Sequence, residues 1–259
     1  ALKRLQLEND LRVAVNKNVI ETYFQPIIDL NSGAISSVES LARWQHPTEG
    51  FVSPDVFIHI AEETGLIQQL GKQVLTQSIE CLALWRNKSD TFKNISISVN
   101  LSPRQLEDIT LVDDILELLK KHNLPAKSLR LEITEGVLID RFDAAKQILN
   151  QFNDAGIEIM LDDFGTGFSS LSYLHHFPIS IVKIDRSFIA NMFVEKTNMA
   201  IIRSVQKLAE GLDMKVVAEG IEQKEHVKKL NFLNIDYGQG YFFAKPLDKN
   251  AALNFIIEH

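Results

Sequence analysis

The sequence predicts an α/β fold in which eight strands and their helices close into a modified TIM (β/α)8 barrel. Short runs rich in β-branched residues alternate with helical patterns, and this alternation indicates a mostly parallel sheet. Eight such strands within 259 residues fit one closed barrel better than two smaller domains. Charged or amide side chains also stand at nearly every predicted strand end, which is where a barrel gathers its active site.

A helix and a hairpin open the chain. Apolar residues at helical spacing predict the helix, at Leu7, Leu11, Ala14 and Val15. The strand-like runs 23–30 and 34–44 flank the turn sequence Asn31-Ser32-Gly33, and two strands joined in this way form a hairpin. We therefore expect the first strand of the barrel to be irregular and antiparallel. Helical patterns follow at 54–64 and 66–87.

The rest of the chain alternates between strand and helix. Strands are predicted at 95–100, 129–134, 157–162, 179–184 and 214–219, with a weaker one at 235–242. Apolar stripes that include Leu116, Leu149 and Val205 predict helices between them, and a last helix is predicted at 248–256. An open doubly wound sheet is the alternative architecture. Its Gly-x-Gly-x-x-Gly turn is missing after the first predicted strand, which favours the barrel.

The composition is that of a globular protein. No apolar run approaches the roughly 20 residues that span a bilayer, and charges interrupt the first residues, so neither membrane contact nor a signal peptide is predicted. A net charge of −7 argues against a broad surface for nucleic-acid polymers. The single cysteine, Cys81, is in helical phase with Val74 and Trp85, which predicts a buried thiol in a cytoplasmic protein. Because the chain begins with Ala, we expect it to be one part of a larger multidomain protein.

Oxygen-bearing side chains lie in the predicted strands or at their ends. Those within strands are Glu39, Glu132 and Gln239, and those at strand ends are Asn100, Asp162, Asp163, Asp185 and Glu219, with Glu222 close behind. Few cations accompany them, chiefly Lys183 and Arg43. Two carboxylates about 5 Å apart repel by roughly 3 kcal/mol at an effective dielectric constant near 20. Such a group therefore favours divalent cations, and oxygen ligands without histidine or thiolate suit Mg²⁺ or Mn²⁺. Two ions of this kind can bridge a phosphate and activate a water molecule.

Simpler interpretations exist for each residue taken alone. A single strand-end acid is more often a helix cap or a surface ion pair than a functional group. Asn100 could belong to a turn before a helix at Pro103. The segment 165–167, Gly-Thr-Gly, is a weak match to a phosphate cradle and more typical of a loop hinge. His175 and His176 are interpreted as surface or packing residues. The set as a whole favours function, since capping does not require acids on successive strands.

Seven motifs occur in one order along the chain. They are Glu39-Ser40-Leu41-Ala42-Arg43-Trp44 with His46-Pro47, Ser98-Val99-Asn100-Leu101-Ser102, Leu131-Glu132-Ile133-Thr134-Glu135, Asp162-Asp163-Phe164-Gly165-Thr166-Gly167, Val182-Lys183-Ile184-Asp185, Ala218-Glu219-Gly220-Ile221-Glu222 and Gln239-Gly240-Tyr241. This series resembles the EAL family over about residues 8 to 250. Ser40 stands where the motif that names the family has Ala, a change of one hydroxyl beside the metal ligands.

The resemblance implies a role for each residue of the metal centre. Glu39, Asn100, Glu132 and Asp162 would bind one metal ion, and Asp162 would bridge to a second ion near Asp163. Lys183 would orient or activate the attacking water, and Glu219 would be the general base. Asp185 and Gln239 would support the metal ions and their waters.

The resemblance also implies how the ligand is held. Gln25, Arg43 and Glu222 match positions that hold the cyclic dinucleotide, Arg43 through phosphate and Glu222 through guanine. Glu135 matches a glutamate that stabilises the Asp-Asp-Phe-Gly loop and couples metal binding to a homodimer interface. The implied activity is hydrolysis of c-di-GMP to linear pGpG in bacterial second-messenger signalling, with Mg²⁺ or Mn²⁺ as cofactor and Ca²⁺ as inhibitor.

Two other functions stay open at this point. A catalytically silent c-di-GMP receptor would keep the pocket, and such members of the family usually lack metal ligands or the loop glutamate that this chain retains. A barrel enzyme of another class, such as a metal-dependent aldolase or a phosphomonoesterase, would share only the fold. The opening helix, within residues 1–18, resembles the connector that follows a GGDEF domain, so an upstream GGDEF or sensory domain is expected.

Overall fold

A computed structural model of the chain describes residues 2–136, 142–165 and 174–259. Within this part, nine strands form one sheet in the order β1-β9-β8-β7-β6-β5-β4-β2-β3, and an additional β1–β2 pairing closes eight of them into a barrel. The strands are β1 Glu21–Asp29, β2 Ile35–His46, β3 Gly50–Val52, β4 Ser96–Asn100, β5 Leu129–Thr134, β6 Glu158–Phe164, β7 Ile179–Ile184, β8 Lys215–Ala218 and β9 Tyr237–Gly238.

The direction of the first strand agrees with the sequence prediction. Strand β1 is antiparallel to both of its neighbours, β2 and β9. From β2 through β4 to β9 the successive barrel pairs are parallel, so those strands point their carboxyl ends to the same rim. The predicted modified barrel is therefore confirmed.

The helices follow the strands as the alternation predicts. They are α1 Leu2–Asn16, α2 Pro54–Thr64, α3 Ile67–Lys88, α4 Leu111–Lys121, α5 Phe142–Asp154, α6 Arg186–Ala190, α7 Lys196–Gly211, α8 Lys224–Phe232 and α9 Lys249–Glu258. Among the residues that the structure describes, no helix combines the length and apolar character needed to cross a lipid bilayer.

The element boundaries agree closely with the predicted ones where the strands are buried. The runs Leu129–Thr134 and Ile179–Ile184 are strands over the full predicted length. The weak eighth prediction shrinks to Tyr237–Gly238, and the three-residue strand Gly50–Val52 was not predicted. Strands this short carry too few alternations for a sequence pattern to be recognised.

Two apolar clusters hold the barrel together. The large cluster joins the outer faces of the strands to the helices, and it contains Trp44, Trp85 and the predicted core thiol Cys81. The small cluster lies inside the barrel and consists of Ile27, Met160, Ile181 and Val217.

Helix α1 is anchored to the barrel by its apolar face. Leu11 and Val15 are fully buried, and the Gln73 side-chain amide donates to the carbonyl of Val15 near the end of the helix. The carboxylate of Asp10 lies 3.2 Å from His46 Nε2 at the end of β2. The opening helix is thus packed into the same core as the barrel.

Candidate active site

Strand register brings the predicted residues to one rim. Gln25 on β1 lies opposite Glu39 on β2, and Asn100 on β4 lies beside Glu132 on β5. Residues two apart on a strand share a face. The register therefore places Glu39, Asn100, Glu132, Asp162 and Lys183 on the inward face of their strands, around a common centre above the apolar cluster.

The ammonium of Lys183 occupies that centre. Its Nζ lies 2.5 Å from Glu132 Oε2, 2.7 Å from Glu219 Oε1, 3.3 Å from Asp162 Oδ1 and 3.4 Å from Glu39 Oε2. Lys183 and Glu132 are essentially excluded from solvent. A buried charge is tolerated only when opposite charges compensate it. Four carboxylates from four different segments thus share one cation.

Amide side chains extend this network toward β1. Asn100 Nδ2 donates to Glu39 Oε1 at 3.0 Å. Gln239 Nε2 contacts both Glu39 Oε2 at 2.7 Å and Gln25 Oε1 at 2.9 Å. Gln25 in turn donates to the carbonyl of Ala244 at 3.0 Å. The two amides therefore contact both oxygens of the Glu39 carboxylate, and Gln239 shares Oε2 with Lys183.

The electrostatics of the centre are dominated by crowded acids. Burial, followed by the charge of Glu39, raises the pKa of Glu132 to about 8 although Lys183 opposes the shift. Burial likewise raises the pKa of Glu219 to about 8. Burial alone would lower the pKa of Lys183, but the surrounding carboxylates raise it well above its ordinary value. One lysine does not neutralise this group, so additional positive charge would stabilise it.

A second group of acids adjoins the first. Carboxylate oxygens of Asp162, Asp163 and Glu219 all lie within 4.8 Å of one another, a spacing that could hold a metal ion. Asp163 has a left-handed backbone with φ of 54°, which turns its side chain out of the strand alternation toward this group. Burial, and then the charges of Asp162 and Asp185, raise the pKa of Asp163.

The donor set fits a divalent cation. Glu132 Oε1 and Gln239 Oε1 are buried without a hydrogen-bond partner within residues 2–136, 142–165 and 174–259. Such oxygen atoms are normally satisfied, and carboxylate and amide oxygens are ligands that Mg²⁺ and Mn²⁺ accept. The residues that could contribute ligands are Glu39, Asn100, Glu132, Asp162, Asp163 and Glu219.

The remaining predicted residues lie around the centre. Asp185 caps helix α6 by accepting from Ser187 N at 3.0 Å, and it lines the same cleft as Asp163. Glu222 lies at the cleft mouth, where its backbone N–H points at His226. Glu135 follows β5. Most of the loop that it was predicted to stabilise, residues 166–173, lies outside the described residues.

An open cleft of about 970 Å³ lies above the acids. That volume is at the upper end of the roughly 300–1,000 Å³ usual for ligand pockets. Arg43 lines it with its guanidinium 5.9 Å from the centre of the Tyr23 ring. Lys245 lies 5.5 Å from the centre of the Tyr241 ring on the same cleft. Cations and aromatic faces beside acids suit a ligand that has both phosphates and bases.

Tyr23, Phe51 and Lys245 are among the cleft residues that the sequence reasoning missed. Tyr23 is two positions before Gln25 on the same face of β1, a signal that could have been used. Phe51 belongs to the unpredicted strand β3 and packs edge-on against Tyr23 with ring centroids 6.5 Å apart. Lys245 lies in an irregular segment where no periodicity marks it.

Residues 8–246 match the protein family described as the EAL domain. The chain belongs to the EAL family. The solved phosphodiesterase of MucR from Pseudomonas aeruginosa, in complex with c-di-GMP, is similar to this EAL domain with 37% identity and a TM-score of 0.89. The alignment covers 94% of this chain and 98% of that one. The fold predicted from the alternation of strands and helices, and the family indicated by the motifs, are confirmed.

Two curated relatives carry the name of an activity. Cyclic di-GMP phosphodiesterase NbdA of Pseudomonas aeruginosa is 36% identical over 99% of this chain and 32% of its own length. Cyclic di-GMP phosphodiesterase PdeR of Escherichia coli is 36% identical over 94% of this chain and 36% of its own length. The EAL domain thus spans about a third of the length of these relatives.

Proposed function

We propose that this EAL domain is a metal-dependent phosphodiesterase that hydrolyses c-di-GMP to linear pGpG. The convergence of Glu39, Glu132, Asp162 and Glu219 on Lys183 carries the proposal. Relatives with c-di-GMP phosphodiesterase names, and a similar barrel solved with c-di-GMP, support the choice of substrate.

Divalent cations are part of this proposal. Glu39, Asn100, Glu132 and Asp162 would hold one ion, and Asp162 with Asp163 would hold a second, with Asp185 and Gln239 as support. Mg²⁺ or Mn²⁺ bound there would supply charge stabilisation for the phosphoryl group and lower the pKa of the attacking water. The proposal includes inhibition by Ca²⁺, which tolerates more ligands and looser geometry.

The side chains of the chain itself would bind the substrate and move the proton. Arg43 would contact one phosphate, while Gln25 and Glu222 hold the dinucleotide. Water forms a new bond to phosphorus as one ester P–O bond of the ring breaks. Glu219 would accept the proton of the water, because its carboxylate lies beside Asp162 and Asp163, the acids that would hold the second ion. Lys183, which contacts Glu219 at 2.7 Å, would orient or help activate the attacking water, and the departing ribose oxygen takes a proton from solvent.

Hydrolysis of c-di-GMP with and without Mg²⁺ tests the proposal. We expect pGpG, detected by chromatography, only when Mg²⁺ or Mn²⁺ is present. Glu219→Gln should lower turnover by about 10²–10⁴-fold while c-di-GMP binding persists. Glu210→Gln, at an exposed position of α7, is the matched control and should behave as wild type. Absence of pGpG with both metals would contradict the proposal, and tight c-di-GMP binding in EDTA without turnover would indicate a receptor.

The wider context of the domain is proposed as well. We propose a cytoplasmic homodimer in which Glu135 couples the loop to the interface, and an upstream GGDEF or sensory domain beyond helix α1. The relative MucR, named as a bifunctional diguanylate cyclase and phosphodiesterase, supports such a fusion. Light scattering of the purified domain tests the homodimer, and the full reading frame of the native protein tests the upstream domain.

A further inference from the structure

Three N–H groups of the segment that carries Glu219 and Glu222 donate hydrogen bonds, and the Ile221 carbonyl accepts another from Phe242 N at 2.9 Å. Glu219 N donates to the Ile184 carbonyl on β7 at 3.1 Å, and Ile221 N donates to the Gln239 carbonyl at 3.0 Å. Glu222 N points to the imidazole Nδ1 of His226 at 3.4 Å. The first two acceptors are main-chain carbonyls. The third is a side chain, and it is the acceptor that a substitution can remove.

His226 is placed to reach this N–H by its position in helix α8. Gln223 is the N-cap, so His226 is the third residue of the helix. Side chains at that position commonly fold back to accept from backbone N–H groups before the helix. The imidazole is 3% exposed, and its ring stacks on Phe193 with centroids 5.5 Å apart. A ring held between helix and Phe193 has little freedom to turn away.

We propose that His226 is a positioning residue for Glu222, and that only its neutral form holds the substrate-binding segment in place. This inference rests on the proposed binding of c-di-GMP by Glu222. Neutral His226 must carry its proton on Nε2, because Nδ1 accepts from Glu222 N. Protonation turns Nδ1 into a donor that faces another donor. The segment then loses the hydrogen bond at Glu222 N, and the position of Glu222 along the cleft is no longer fixed by it.

The surroundings of His226 agree with a neutral ring. Burial lowers the pKa of His226, whereas the charges of Glu222 and Glu225 oppose that shift. Phe193, on the segment between α6 and α7, brings no charge. Because the folded pKa is lowered, the anchored form persists at neutral pH and is lost as the pH falls through that lowered value.

Substitutions at His226 separate the hydrogen bond from the ring. Asn places its Oδ1 the same number of bonds from Cα as Nδ1, so His226→Asn keeps an acceptor that does not titrate. His226→Leu removes the acceptor and keeps an apolar side chain. His122→Asn, at the residue that ends α4, is the matched histidine control.

Calorimetry of c-di-GMP binding with Ca²⁺ in place of Mg²⁺, from pH about 7.5 to about 5, tests the proposal across the ordinary range of histidine. Acidification should weaken c-di-GMP binding by wild type and by His122→Asn. We expect this loss of affinity to be about 3- to 10-fold larger than the loss measured for His226→Asn. His226→Leu should bind c-di-GMP more weakly than wild type at neutral pH by a similar factor, and its affinity should stay at that level at acidic pH. The melting temperature of each variant separates this effect from unfolding.

The possible outcomes are distinct. No c-di-GMP binding by wild type at any pH would remove the proposed function itself. Normal binding with the same pH dependence in wild type and His226→Asn would overturn the positioning role alone. Equal affinity of His226→Leu and wild type at neutral pH would overturn it as well.

Discussion

Replacing Ser78 by alanine tests a hydrogen bond that joins helix α3 to strand β2 behind the site. Ser40 and Ser78 are both buried, and their hydroxyl oxygens lie 2.8 Å apart. Ser78 Oγ also lies 2.6 Å from the Val74 carbonyl one turn earlier in the helix. A hydroxyl has one proton, so when Ser78 donates to Val74 the Ser40 hydroxyl must donate to Ser78. Ser40 directly follows Glu39, which ties the helix to the candidate active site.

Ser78→Ala and Ser40→Ala should lower the free energy of unfolding by different amounts, because Ser40 donates to Ser78 and Ser78 donates to Val74. Ser78→Ala leaves the buried Ser40 hydroxyl without its acceptor, a penalty of about 1–3 kcal/mol. The better helix propensity of Ala offsets about 0.5 kcal/mol of it. Ser40→Ala, which restores the residue of the family motif, leaves Ser78 bonded to Val74 and should cost about 0.5 kcal/mol. The double variant removes both hydroxyls and should be less destabilised than Ser78→Ala alone.

Urea denaturation of the four proteins measures this cycle. We expect a coupling energy of about 1 kcal/mol, which for a chain of this size is a difference of about 2–4 °C in melting temperature. Hydrolysis rates should stay close to wild type, since neither hydroxyl contacts the carboxylates of the site. Additive single costs, or a Ser78→Ala variant no less stable than Ser40→Ala, would refute the assigned donor order.

Three further predictions follow from buried groups. Cys81, whose pKa is raised to about 12 by burial, should react with a thiol reagent only after the protein is unfolded, as followed by absorbance with and without urea. Gly240→Ala would place a Cβ 2.2 Å from the Ile221 carbonyl oxygen, so it should lower both the melting temperature and the affinity for c-di-GMP. The control is Gly211→Ala, whose Cβ would meet open space and whose effect on stability should be neutral or slightly favourable. Lys183→Met should abolish turnover, and it should lower the free energy of unfolding by about 3–5 kcal/mol in metal-free urea denaturation, because it leaves buried carboxylates without their cation. A variant as stable as wild type would show that the ion pairs contribute nothing to stability.

The sequence was sufficient for the barrel because its buried strands are continuous apolar runs. The strand 129–134 has both faces covered, and its length can be read directly from the residues. The strand Tyr237–Gly238 has no such run. Its neighbours leave no space for a side chain at position 238, because a Cβ on Gly238 would lie 2.5 Å from Ile221. The strand Gly50–Val52 pairs only with the end of β2, so tertiary contact rather than local pattern decides its conformation.

The sequence also predicted which residues meet, but not how they pair. Position in or at the end of a predicted strand placed Glu39, Asn100 and Glu132 on one rim, and register explains why that worked. It did not predict that Asn100 would donate its amide to Glu39, or that one lysine would contact four acids. Side-chain pairing depends on rotamers and on the exact stagger of the strands, which composition and periodicity do not contain. His226 was missed for a related reason, since its partner is a backbone N–H.

The position of Lys183 within the barrel explains how a charged centre can be rigid. Ile181 lies two residues earlier on the same face of β7, and Val217 is the register partner of Lys183 on β8. Both belong to the small interior cluster with Ile27 and Met160. The apolar cluster therefore supports the lysine stem from below, while the carboxylates engage its ammonium from above. A cation fixed in this way orients four acids with little reorganisation, which is the property that electrostatic catalysis requires of its surroundings.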